Sequence, residues 1–171
     1  MADPVCIREA TPDDAKAVIS LLERLYSETH FLLYEPGELN HDVEQYARRM
    51  DEAGRKGSWV MFVAENGGGM VGVIFGNRGV AKRTRHSLLI GLGVLQASWN
   101  QGVGRCLLGA IESWARARDL HRLELTVQTS NRPAIALYEK VGFEREGTKR
   151  HSQKVEGAYV DEFLMSKLIA V

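Results

Sequence analysis

The sequence predicts an α+β domain built on a mixed sheet, and three features carry that prediction. Short apolar runs alternate with amphipathic stretches in the order β-α-α-β-β-β-α-β-α-β-β. A glycine-rich turn, Asn66-Gly-Gly-Gly69, joins two strand-like runs as a hairpin. A helical stretch connects the runs at 87–95 and 122–129, a crossover that implies parallel pairing between them. The 171 residues fit one domain spanning 1–171.

Val5 to Ala10 reads as the first strand. Thr11-Pro-Asp-Asp14 then starts a helix, since proline suits the first helical position and the aspartates favour the positive helix end. Ala15, Val18, Ile19, Leu22 and Leu25 follow at helical spacing. Tyr26 to Asn40, with Pro36 and Gly37 and no period, is expected to be a loop, and His41 to Arg55 a second helix. Strands are expected at Trp59–Ala64, Met70–Asn77, Ser87–Leu95 and Arg122–Thr129. Gly102–Asp119 and Pro133–Lys140 read as helices, and Phe143–Arg150 with Ala158–Leu168 as the closing strands.

Lys plus Arg (22) equals Asp plus Glu (22), so no overall field favours nucleic acid or an anionic membrane. Cys6 and Cys106 do not make a disulfide framework. No signal-like start and no apolar run near ~18 residues is present, so a cytoplasmic protein is expected. His30, His41, His121 and His151 lack metal-ligand spacing, and no metal is expected.

The most informative stretch is Leu88 to Arg105, an apolar strand running through a polar turn into Gly102-Val-Gly104 and a helix striped by Val103, Leu107, Ala110, Ile111 and Trp114. Helix N-termini offer free N–H groups and partial positive charge, and glycine lets phosphates approach the backbone. Leu107 stands where a dinucleotide fingerprint needs a third small residue, and no Gly-Lys-Ser/Thr follows, so two common nucleotide motifs are excluded. Alone, the glycine pair fits helix–strand packing equally well.

Further on comes Asn131-Arg-Pro-Ala-Ile-Ala-Leu-Tyr-Glu-Lys-Val-Gly-Phe143. Together the two stretches resemble the GNAT superfamily of acyl-CoA-dependent N-acetyltransferases. The tail from Glu146-Gly147 to Met165 is similar to the subgroup of ribosomal-protein and amino-acid N-acetyltransferases. The resemblance implies a mostly antiparallel central sheet with helices on both faces. It implies acetyl-CoA as co-substrate, a primary amine as acceptor (an amino acid, a peptide N-terminus or a small amine), and, as in many members, a homodimer.

By that resemblance, backbone N–H groups of Gln101, Gly102, Val103, Gly104 and Arg105 would hold the pyrophosphate. Trp99 stands where the family places Arg or Gln, so Arg105 is expected to supply the charge. Val94 and Leu95 would pair with the pantetheine arm, with a backbone N–H near Val94 polarising the thioester carbonyl. Gly91 and Gly93 suit the family's bulge in this strand. Asn131 would bond the coenzyme arm, or cap its helix, or both, and Tyr138 would protonate the departing thiolate.

Leu89 occupies the position where many relatives carry a catalytic Glu. Glu124 is the base candidate, with His86, Glu28, Glu35 and a water relay as alternatives. Acceptor contacts are expected from the 26–40 loop and the last hairpin, through Phe31, Tyr34, Glu35 and Tyr159. The missing Glu also motivates an alternative: a catalytically weak acyl-CoA-binding regulatory protein.

Overall fold

The computed structural model describes residues 4–39 and 41–169. The strands are β1 (Cys6–Glu9), β2 (Trp59–Asn66), β3 (Gly69–Arg78), β4 (Ser87–Val94), β5 (Arg122–Gln128), β6 (Glu144–Val155) and β7 (Ala158–Leu168). The helices are α1 (Ala15–Glu28), α2 (Val43–Arg55), α3 (Val103–Arg116) and α4 (Arg132–Lys140). All seven strands form one sheet in the order β1-β2-β3-β4-β5-β7-β6. Every pairing is antiparallel except β4–β5, where the α3 crossover imposes the expected parallel pair.

Alternation along the strands gives the sheet two apolar faces. Leu88 and Ile90 of β4 and Leu123, Leu125 and Val127 of β5 pack with Leu107, Ile111 and Trp114 of α3 and Ile135 and Tyr138 of α4. On the other face Met61, Val63 and Val73 meet Val18, Leu21 and Leu25 of α1 and Tyr46 of α2. Among the described residues no helix is long and apolar enough to cross a membrane.

Three expectations are corrected. Helix α1 continues through Tyr26 to Glu28 instead of giving way to a loop at Tyr26. Strand β6 runs on to Val155, past Arg150. Its register against β7 slips between Lys149 and Gln153, with His151 at φ 52°, and that irregularity breaks the alternation that reveals a strand. No bulge interrupts β4: its register with β3 is continuous from Leu88 to Val94. Gly91 and Gly93 serve close packing instead. A Cβ on Gly91 would come within 2.4 Å of the Phe75 ring, and one on Gly93 within 2.9 Å of Leu25.

Candidate active site

Strands β4 and β5 pair only at Ser87–Leu89 with Arg122–Glu124. Beyond that each stays with its other neighbour: β4 with β3 up to Val94, β5 with β7 up to Gln128. The Leu95 N–H points to β3, where it bonds Val71 O at 2.9 Å, whereas His86 O points to β5 and accepts from Arg122 N. Backbone groups alternate sides along a strand, so Ile90, Leu92 and Val94 turn theirs toward the gap. A wedge-shaped cleft results, with an unpaired strand edge along one wall. Leu92 shares that edge with Val94. The sequence reading passed over it because strand parity in the sheet, not residue type, exposes it.

The cleft leads to the N-terminus of α3. Gly102 adopts φ 81°, which turns the chain into the helix, and no side chain caps the end. The first intrahelical bond of this turn is Cys106 N to Gly102 O at 3.0 Å, which leaves the N–H groups of Val103, Gly104 and Arg105 without helical acceptors. The Arg105 side chain is exposed. The Gln101 side chain bonds Ala97 O at 2.8 Å and braces the turn. A Cβ on Gly104 would stand 2.9 Å from Leu137 of α4 and 3.6 Å from Leu92, so this glycine lets α3, α4 and the open edge of β4 converge.

Asn131 caps α4, its Oδ1 accepting from Ala134 N at 3.3 Å. The side-chain amide hydrogens remain for another partner. Tyr138 lies buried on the same helix, and burial pushes its hydroxyl up to about 12. That hydroxyl bonds no atom of the described residues. The indole of Trp99 is half exposed and donates from Nε1 to Val94 O at 2.6 Å. The residue at the family's Arg/Gln position thus engages the carbonyl of Val94 and leaves that residue's N–H facing the cleft.

On the α1 side, a cavity of about 530 Å³ opens between the segment after α1 and the β6–β7 hairpin. Tyr34 and Glu35 line it, as do Tyr26, Glu28, His30 and Gln153. Phe31 and Tyr159 are absent from the lining: the Phe31 ring lies 4.6 Å from the His30 ring, and Tyr159 stacks on His151 at 5.2 Å, 63% exposed. The Glu28 carboxylate accepts from Gln96 N at 2.8 Å, just past the end of β4.

Glu124 stands opposite Leu89 at the closed end of the cleft. Its carboxylate is bonded by Arg122 Nε at 2.7 Å, and the same guanidinium holds Glu146 at 2.8 Å. Leu89 and Val94 stand five positions apart on β4, roughly 16 Å at the ~3.3 Å strand rise. His86 lies at the closed end too, where its carbonyl binds β5.

On this mixed α+β sheet, an unpaired strand edge leads to an uncapped, glycine-built helix end. The chain belongs to the acetyltransferase (GNAT) family, whose model matches residues 19–143. It is 36% identical over 95 residues to the L-amino acid N-acetyltransferase AaaT of Escherichia coli, a match that covers 52% of this chain and 57% of that protein. The chain thus aligns with little more than half the length of that relative. An acetyltransferase of the GNAT family from Streptococcus pneumoniae superimposes with a TM-score of 0.92 at 32% identity, covering 97% of this chain and all of that one. The putative acetyltransferase YncA of Salmonella typhimurium, solved with acetyl-CoA, shares the fold with a TM-score of 0.85 at 18% identity, over 97% and 94% of the two chains.

Proposed function

We propose that the chain transfers the acetyl group of acetyl-CoA to a primary amine, by direct attack while both substrates are bound. The observation that carries this reading is the convergence of the open β4 edge, the uncapped α3 N-terminus and α4 around Gly104, whose Cβ position lies 2.9 Å from Leu137 and 3.6 Å from Leu92. The donor set suits the coenzyme. Free N–H groups at a helix N-terminus match its phosphates, and an unpaired strand edge matches the amides of its arm. The likeness to AaaT supports an amino acid as acceptor, and a peptide N-terminus or a small amine is of the same chemical class.

The co-substrate supplies an activated acyl carbon and a thiolate leaving group. The backbone N–H groups of Leu92 and Val94 stabilise the negative charge that develops on the thioester oxygen. The turn at 101–105 anchors the pyrophosphate, with the Arg105 guanidinium replacing the charge that Trp99 does not provide. The Asn131 amide holds the arm while its oxygen caps α4. Tyr138 gives its proton to the sulfur as the carbon–sulfur bond breaks. Burial that raises the phenol raises a thiolate beside it too, which keeps the proton transfer feasible.

Glu124 gives up the role of base. It lies at the closed end, already bound by Arg122, whereas Glu28 borders the acceptor cavity beside the end of β4. Glu28 therefore takes the proton that the amine nitrogen loses as the new carbon–nitrogen bond forms. Tyr34 and Glu35 shape the acceptor cavity.

Release of free coenzyme thiol from acetyl-CoA, measured against amino acids, amino-acid amides, short peptides and polyamines, tests the reading. Amine-dependent release is the expected result. Tight acetyl-CoA binding with no release for any amine would replace the enzyme by the acyl-CoA-binding regulator that Leu89 motivates. Absence of any acetyl-CoA-induced thermal shift would remove both.

A further inference from the structure

One buried side chain on β5 bonds two of the elements that line the acceptor cavity. Gln128, the last residue of β5, is 2% exposed. Its Nε2 donates to His30 O at 2.9 Å, in the segment after α1, and to Gln153 Oε1 at 2.8 Å, on β6. Gln153 Nε2 donates onward to Glu162 Oε1 at 3.1 Å. Lys149 Nζ closes the chain 3.5 Å from the other oxygen of Glu162, a carboxylate on β7 that is 5% exposed.

The chemistry of the groups fixes the direction of this chain. An ionised carboxylate only accepts, so Gln153 must turn its NH2 to Glu162 and its oxygen to Gln128. Gln128 must then present its own NH2 to Gln153. The second hydrogen of that NH2 meets the His30 carbonyl. Only a primary amide at 128 supplies two donors from one nitrogen at this reach. A carboxylate there would face two acceptors with none to give, and an apolar side chain would leave both unbonded.

We propose that Gln128 is a positioning residue for the acceptor amine. It sets the separation between the segment after α1 and the β6–β7 hairpin, and hence which amine the cavity accepts. This rests on the reading of that cavity as the acceptor site. Segment 28–30 is tied at both ends: Glu28 to Gln96 beyond β4, and His30 to Gln128 at the end of β5. It therefore bridges the cleft at its open end. Loss of the Gln128 anchor frees the half of the bridge next to the hairpin and leaves the coenzyme wall of β4 and α3 untouched.

The test compares wild type with Gln128→Leu and Gln128→Glu. Both variants should raise the acceptor KM by about tenfold or more while the acetyl-CoA KM stays within about twofold. Gln153→Leu removes only the hairpin half of the chain and should raise the acceptor KM less, and the Gln128→Leu/Gln153→Leu double variant should add little to Gln128→Leu, which already breaks both bonds. Backbone amide hydrogen exchange should quicken in 29–33 and 152–155 together in each Gln128 variant. Equal rises in both KM values, strictly additive single variants, or unchanged exchange in either segment would overturn the proposal. Exchange needs no turnover. If wild type acetylates no amine, the acetyltransferase reading fails and the exchange result still decides whether Gln128 couples the two segments.

Discussion

Replacement of Tyr138 by Phe separates chemistry from packing on α4. The ring is 7% exposed and sits 5.8 Å from that of Phe143 in the main core, so Phe keeps the contacts of Tyr. The hydroxyl bonds none of the described residues, and its removal breaks no hydrogen bond within the protein. Deleting a bonded hydroxyl costs roughly 1 kcal/mol; here the change in stability should stay below about 0.5 kcal/mol, a shift of about 1–2 °C in a domain of this size. Turnover behaves differently. A general acid contributes about 10²–10⁴-fold, or about 3–5 kcal/mol at 1.36 kcal/mol per tenfold. Steady-state release of the coenzyme thiol should therefore show kcat falling by about 10²-fold or more, with the acetyl-CoA KM nearly unchanged. Burial keeps this hydroxyl protonated up to about 12, so the acid form is present across the working range and no alkaline loss of rate below that pH should trace to it. A Tyr138→Phe variant that turns over within about threefold of wild type would refute the assignment and leave Tyr138 a core residue.

Further outcomes follow from other parts of the molecule. Glu28→Gln keeps an oxygen for Gln96 N and loses the base, so kcat should drop about 10²-fold; a kcat within about threefold of wild type would return the role to water. Gly104→Val drives a side chain against Leu137, 2.9 Å from the Cβ position, and should cost about 1–3 kcal/mol of stability together with a smaller acetyl-CoA-induced thermal shift. The hydrogen-bonded Arg8 guanidinium holds the Asp14 carboxyl down at about 2, against an ordinary 3.8. The folded-state value being the lower one, this pair stabilises the fold above the ordinary value, and its contribution drains away as pH falls through about 4 toward about 2. Acid-unfolding curves of Arg8→Leu should be flatter over that interval, and superimposable curves would show the pair to be inert.

Much of the β4–α3–α4 wall of the cleft was legible in the sequence because its determinants are local. The Gly102 turn, the Asn131 cap and the α3 stripe each depend on residues within a few positions of one another, and backbone geometry follows from such short patterns. Spacing alone excluded the dinucleotide and Walker loops, and the paired stretches around Gly102 and Asn131 led to the family that the matched residues 19–143 establish. The crossover between 87–95 and 122–129 fixed the single parallel pair.

Features that depend on partners distant in the chain were decided by the tertiary structure. Gly91 and Gly93 look like bulge residues until Phe75 and Leu25 are seen to fill the space above them. Glu124 looks unpartnered in the sequence until the sheet sets it beside Arg122 at the paired end of β4 and β5. Gln128 carries no signal in sequence, yet it joins His30 to Gln153 across separations of 98 and 25 residues. Sequence alone determined the α+β class, the crossover and the paired Gly102 and Asn131 motifs of the family, since hydrophobic period, turn chemistry and capping are short-range. The tertiary structure alone decided which carboxylate borders the cavity between the segment after α1 and the β6–β7 hairpin and which amide joins its walls, since hydrogen bonds and ion pairs act across a few ångströms of space whatever the distance along the chain.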